Sequence, residues 1–138
     1  MSAKVLDASA LVSLSGSLEA RSSIASLIVD DTLHSLDLAL VECANALWKY
    51  ACFAALLVED ADALLDTIER LDVEYHETAP LLPAVLRLAI ELRHPVYDCA
   101  YIALAMAENA GLVTCDRRLA EAARRAGLAD RVVVIEAG

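Results

Sequence analysis

Glycine and proline are scarce in this chain, four and three residues in 138, and aromatic residues make up only 4%. That shortage excludes a loop-rich scaffold and argues against a many-stranded sandwich, which needs frequent turns. Long uncharged runs are also missing. The longest, Ala8 to Leu18, has 11 residues, whereas a membrane span needs about 20. No signal peptide is expected either, because an acid appears already at Asp7. Basic residues are few, 11 against 21 acids, for a net charge of −10. Taken alone, this deficit argues against a nucleic-acid partner, since phosphate contacts usually draw on a basic surface. The four cysteines, Cys43, Cys52, Cys99 and Cys115, show no C-x-x-C spacing and no nearby histidine pair. Structural zinc is therefore not expected. All four lie in apolar segments and read as buried thiols of a protein in the reducing cytoplasm.

What the chain does have is apolar bulk. Hydrophobic residues are 59% of it, which excludes disorder and is enough for a proper core. Alanine (27) and leucine (24) dominate that fraction, and both are strong helix formers. The expectation is one helix-rich soluble domain spanning residues 1–138. A domain this small cannot bury so much apolar surface alone. A homodimer or larger assembly is expected, through helices such as Leu18–Val29 or Glu59–Leu71.

Short β-branched runs alternate with helical patterns along the chain. Ala3–Leu6, Thr32–Leu36, Val73–His76, Leu112–Thr114 and Val132–Ile135 read as strands. Leu18–Val29 is apolar at helical spacing. Asp37 looks like the N-cap of a helix running to about Leu57, and Glu59–Leu71 is amphipathic. A helix from Pro80 and Pro83 to Leu92 ends before Pro95, because the residue preceding proline avoids helical angles. Cys99–Asn109 and Arg117–Ala126 complete the set, the last closed by Gly127 as a C′ glycine. Alternation of this kind predicts an α/β fold, with a small parallel sheet and helices on both faces.

Most of the acids sit on polar helix faces or in turns; eight fall within Glu59–Glu77 alone. Four interrupt apolar segments instead. Asp7 and Asp116 each follow a strand, and in open parallel sheets the carboxyl ends of the strands line the ligand crevice. Ser9 lies two residues after Asp7 and Thr114 two before Asp116, so each acid would have a hydroxyl on its own side. Glu42 is the single charge in Leu38–Trp48, with Asn45 one turn on. Asp98 is the single charge in Val96–Ala107. A carboxylate in apolar surroundings is costly unless it is paired or binds a metal, and no lysine other than Lys4 and Lys49 exists to pair with these. Each acid also has an ordinary explanation. Asp7, Asp98 and Asp116 could be helix caps, and Glu42 could reach to solvent. If the four converge, their repulsion would raise their pKa values or recruit a divalent cation. An all-oxygen set selects Mg²⁺ or Mn²⁺ over zinc.

The segments Val5-Leu6-Asp7-Ala8-Ser9-Ala10-Leu11, Val41-Glu42-Cys43-Ala44-Asn45-Ala46-Leu47, Tyr97-Asp98-Cys99-Ala100-Tyr101-Ile102-Ala103-Leu104-Ala105 and Leu112-Val113-Thr114-Cys115-Asp116-Arg117-Arg118-Leu119 resemble, in order, the four signature segments of the PIN-domain family. The length resembles that of its single-domain VapC-type toxins from prokaryotic toxin–antitoxin pairs. The resemblance implies a compact α/β/α sandwich with a central parallel sheet, and a Mg²⁺- or Mn²⁺-dependent endoribonuclease. It implies that Asp7, Glu42, Asp98 and Asp116 are the catalytic, metal-binding acids, supported by Ser9, Asn45 and Thr114. It further implies products with a 5′ phosphate and a 3′ hydroxyl, and a small antitoxin partner that wraps the site.

Five of the 11 basic residues fall in Arg117–Arg131. Arg117 and Arg118, next to Asp116, are the candidates for RNA contact, since guanidinium groups suit phosphate. A haloacid-dehalogenase-type phosphatase would want a second aspartate where Ser9 stands and a downstream lysine, and a receiver domain would want that lysine too. A non-catalytic interaction module, or a PIN nuclease of RNA processing outside any toxin pair, is the remaining alternative.

Overall fold

The computed structural model describes residues 2–16, 24–26 and 28–135. In chain order the elements are β1 (Ala3–Leu6), α1 (Ala8–Ser15), β2 (Thr32–Leu36), α2 (Asp37–Phe53), α3 (Val58–Glu69), β3 (Glu74–His76), α4 (Leu82–Leu92), α5 (Val96–Ala107), β4 (Gly111–Thr114), α6 (Arg117–Ala123) and β5 (Val132–Val134). The five strands form one sheet in the order β3-β2-β1-β4-β5, and every pairing is parallel. Helices α1, α2 and α3 pack on one another, and α5 packs on both α4 and α6. The sheet lies between these two helical layers, as the alternation of strand and helix signals predicts.

The inner strands show why the sheet is parallel and covered. All four residues of β4 are buried, and Val5 and Leu6 of β1 are fully buried; strands covered on both faces read as unbroken apolar runs. Helix α5 is buried from Cys99 through Leu104 and Ala105 and packs on β1, β2 and β4. Its uniform hydrophobicity marks a core helix rather than an amphipathic one. Among the described residues the buried polar side chains are Asp7, Ser15, His34, Ser35 and Thr114. Among the described residues no buried side-chain nitrogen or oxygen lacks a partner; Ser35, for example, donates to the Leu6 carbonyl at 2.6 Å.

Several element ends differ from the sequence expectation, for local reasons. Helix α2 stops at Phe53 rather than Leu57, because Ala55 adopts a left-handed φ of 60°. Asp37 is the first helical residue and not the N-cap. Its Oδ1 accepts from the Leu38 amide at 2.8 Å and from the amide (3.1 Å) and hydroxyl (2.5 Å) of Thr78. Helix α5 starts at Val96, so Asp98 lies inside its first turn and Pro95 occupies the cap. Helix α4 does end at Leu92 as expected, with Arg93 as its left-handed C-cap directly before the His94-Pro95 pair. Gly127, expected as a C′ glycine, has φ 100°, but α6 has already loosened into a wider turn at Arg124. The run Leu18–Val29 falls largely outside the described residues.

Two expectations about surfaces are corrected. The apolar face of Glu59–Leu71 is turned inward: Ile68 is buried, and Ala61, Leu64, Leu65 and Leu71 pack on the core. The large exposed apolar side chains among the described residues include Val41, Trp48, Tyr50 and Phe53 on α2, Leu57 and Val58 after it, and Leu82, Leu86 and Ile90 on α4. The cysteines are free but not all buried. Cys43 and Cys99 are; Cys52 is exposed and Cys115 is partly exposed. Cys52 sits off the narrow Ala39, Cys43, Leu47 stripe by which α2 meets the core.

Leu112 sits at the centre of the buried β4 strand, paired to Val5 and Val132. Leu112→Ala is expected to destabilise the fold by about 2–5 kcal/mol through the cavity it leaves, measured by denaturant unfolding.

Candidate active site

The chain leaves β1 and returns on β2 at one side, then reaches β4 at the other, so β1 and β4 are neighbours that diverge in sequence. Leu6 is paired with Val113. The helices that follow these two strands, α1 and α6, join opposite layers. This is the switch point of an open parallel sheet, where the strand ends leave a crevice. Asp7 and Asp116 stand at its two lips.

Asp7 is 5% exposed and held on three sides. Its Oδ1 accepts from the Ser9 hydroxyl (2.7 Å) and the Ala10 amide (3.0 Å), and its Oδ2 accepts from the Thr114 hydroxyl (2.6 Å). It therefore caps α1 and is also fixed to β4. Burial raises its pKa above the ordinary carboxylate value, with the Asp116 charge adding to the rise; the three hydrogen bonds oppose it. Ser9 accepts from the Cys115 amide at 2.9 Å, and Thr114 accepts from the Asp116 amide at 2.9 Å. Thr114 thus serves the carboxylate of Asp7 and only the backbone of Asp116, which corrects the simple pairing of each acid with its own hydroxyl. Asp116 caps α6, accepting from the amides of Arg118 (2.8 Å) and Leu119 (3.4 Å).

Glu42 projects from α2 and accepts from the Tyr101 hydroxyl of α5 at 2.5 Å. Burial raises its pKa, the Tyr101 hydrogen bond lowers it, and the charges of Asp7 and Asp98 raise it again. The same contact, with burial first, pushes the Tyr101 phenol far above its ordinary range, so Tyr101 is a fixed donor and not a base. Asp98 is paired with His94, whose Nε2 lies 2.6 Å from Oδ2.

All four acids line one cleft of about 650 Å³, together with Ser9, Asn45, Lys49, Tyr97, Tyr101 and Cys115. Asp7 and Asp116 each cap a helix and also line the cleft. Among the described residues, no lysine or arginine is ion-paired with any of the four. Arg117 and Arg118, exposed at the start of α6, do not line the cleft; Lys49 does. His94 and Tyr101 were not singled out from sequence. Tyr101 carried a signal, since it lies three residues after Asp98 on the same helical face; His94 lies in the turn before α5, where no helical spacing points to it.

A family model described as PIN domain matches residues 4–125. The chain belongs to the PIN-domain family. It is 39% identical over 121 residues to Ribonuclease VapC3 of Pyrobaculum aerophilum, covering 85% of this chain and 92% of that protein. To Ribonuclease VapC12 of Mycobacterium tuberculosis it is 34% identical, covering 85% and 89%. Among solved structures it is similar to PAE2754 from Pyrobaculum aerophilum, with 28% identity and a TM-score of 0.69 over 88% of this chain and 79% of that one. The fold is also that of a chain in the VapBC2 complex from Rickettsia felis bound to a promoter DNA fragment, at 16% identity and a TM-score of 0.66 over 97% and 98%. PIN-domain ribonucleases generally depend on divalent metal.

Because the Tyr101 hydrogen bond favours the ionised Glu42, Tyr101→Phe is expected to raise the Glu42 pKa further. A carboxyl-carbon NMR titration should show its midpoint moving to higher pH. An unmoved midpoint would contradict the contact.

Proposed function

We propose that this PIN-domain chain is an endoribonuclease that hydrolyses RNA phosphodiester bonds with Mg²⁺ or Mn²⁺, as the toxin of a VapBC-type pair. The observation that carries the reading is the meeting of Asp7, Glu42, Asp98 and Asp116, from four separate segments, in one cleft at the sheet's switch point, none of them paired with a lysine or arginine among the described residues. The curated relatives are ribonucleases by name, which gives the cleft its substrate class.

The donor chemistry fits a hard divalent ion. The four acids offer only oxygen, as Mg²⁺ and Mn²⁺ prefer, and burial with mutual repulsion leaves Asp7 and Glu42 costly to ionise without a cation. A bound ion supplies hydroxide near neutral pH and offsets charge on the phosphoryl oxygens. The chain's own residues do the rest. Ser9, Ala10 and Thr114 hold Asp7 so that it cannot swing away. Tyr101 keeps Glu42 in one orientation, and His94 does the same for Asp98. Asn45 offers an uncharged hydrogen-bonding group at the cleft wall, and Lys49 a cation for the substrate backbone. Arg117 and Arg118 extend that cationic surface beyond the Asp116 lip.

The apolar row on α2 begins at the cleft, since Val41 and Tyr50 line it, and continues past Phe53. This suits a protein partner that covers the site, the antitoxin, and also self-association. The four free cysteines suit a reducing compartment, and among the described residues no helix is long and apolar enough to cross a membrane.

Cleavage of an RNA panel should require Mg²⁺ or Mn²⁺, stop with EDTA, and fall by about a hundredfold or more in Asp98→Asn or Asp116→Asn, the loss typical of removing one positioned charge-stabilising group. Activity surviving EDTA would sink the metal dependence. Asp7→Asn should separate activity from stability. A carboxyl whose pKa is raised on folding binds more protons in the native state, so it weakens the fold as pH rises above the ordinary carboxylate value. The metal-free Asp7→Asn protein is thus expected to melt at a higher temperature than the parent at pH 7 and at the same temperature near pH 3, while losing cleavage.

A further inference from the structure

Away from the acid cleft, the pairing of β2 with β3 brings together a second group of metal-capable side chains. The register sets His34 opposite Glu74 and Leu36 opposite His76, so His34, Glu74 and His76 project from one face of the sheet. Among the described residues they are the one trio of His, Cys, Asp or Glu whose ligand atoms all lie within 4.8 Å of one another. His34 Nδ1 is 2.9 Å from His76 Nε2 and 3.4 Å from Glu74 Oε2. None of the three lines the acid cleft.

We infer that His34 Nδ1, His76 Nε2 and Glu74 Oε2 form a binding site for a divalent transition ion, Zn²⁺ above all. The second nitrogen of each imidazole supplies an independent argument. His34 Nε2 lies 3.3 Å from the Thr32 hydroxyl, and His76 Nδ1 lies 3.7 Å from Glu108 Oε1 at the end of α5. A ligating histidine characteristically turns its other ring nitrogen to such an oxygen, which fixes the tautomer and leaves the inner nitrogen's lone pair for the metal. The Thr32 hydroxyl is already within hydrogen-bond reach, and the Glu108 carboxylate stands near enough to reach His76 with a small side-chain shift. With Zn–N bonds of about 2.0–2.1 Å, two nitrogens on a tetrahedral ion stand about 3.3 Å apart, so the imidazoles need separate by only a few tenths of an ångström. Glu74 is exposed, which leaves the fourth position open to water. The two-nitrogen, one-oxygen set prefers zinc to magnesium, the reverse of the acid cleft.

The sequence argument against structural zinc rested on cysteine spacing and on the lack of a histidine pair near the cysteines. Here the ligands are histidines 42 residues apart, joined by strand pairing that no local motif announces. An ion there would tie β3, a three-residue edge strand, to β2.

The test uses the full chain carrying both Asp7→Asn and Asp98→Asn, so that the acid cleft does not bind the ion. After dialysis against Zn²⁺ and then buffer, it is expected to retain one zinc per chain. Calorimetric titration should show affinity weakened about a hundredfold or more in His76→Gln, and about 10–100-fold in Glu108→Gln, the usual loss for an outer partner. Glu74→Gln alters an exposed side chain and keeps the test open if His76→Gln fails to fold. Co²⁺ should give visible absorption bands that Glu74→Gln shifts. Absence of retained zinc, or unchanged affinity in Glu74→Gln and His76→Gln, would overturn the site whatever the outcome of the RNA assays.

Discussion

The hydrogen-bonded carboxylate of Asp7 is the constraint on which the rest of the site depends. It is nearly buried, and a charge there is tolerated only with full satisfaction of its oxygens. Ser9 and Ala10 satisfy one oxygen from α1, and Thr114 satisfies the other from β4. The same three contacts start α1, join β1 to β4 and set the angle at which Asp116 leaves the sheet, because Thr114 also accepts the Asp116 amide. Remove the carboxylate's geometry and the two lips of the crevice lose their common reference.

Around that fixed acid Asp116 is held by the amides of Arg118 and Leu119, and the other two by single side chains. Glu42 rests on Tyr101 and Asp98 on His94; both supports come from α5 or the turn before it. Helix α5 is thereby core and scaffold at once, with its buried side chains on the sheet and its first turns presenting Asp98 and Tyr101 to the cleft. The four carboxylates share the cleft without closing on a point, since no three of them bring oxygens within 4.8 Å of each other. That spacing is compatible with Mg²⁺, which commonly keeps several of its waters and does not demand a tight protein cage.

Much of this was legible in the chain. Isolated acids in apolar segments, at strand ends or on a buried helix, are conspicuous because nothing else in those segments is charged, and the five strand signals gave the parallel sheet. Helix ends were less legible. Ala55, Arg93 and Asn109 take left-handed angles that their side chains do not advertise. The inward turn of Glu59–Leu71 was hidden because an apolar face looks the same whether it meets its own core or another subunit. The roles of Tyr101 and Thr114 were hidden for a different reason. Each crosses from one segment to an acid in another, 59 and 107 residues away, and only the fold supplies that adjacency. The same holds for His34 and His76.

The net charge of −10 then has a different meaning from the one composition suggested. Four of the acids form the cleft, and two divalent ions would cancel them. The eight acids of Glu59–Glu77 lie on α3, on β3 and in the turns beside them, and none lines the cleft. One cation, Lys49, lies in the cleft wall, and the arginines that open α6 lie outside the lining, next to Asp116. A polyanion approaching such a molecule gains little from the long-range field, which is repulsive and screened within about 8 Å at physiological salt. Affinity must come from contacts made inside that distance, at the cleft and its rim. For an enzyme arranged this way the placement of its few cations weighs more than the net charge, because only charges within the screening distance act on a bound strand.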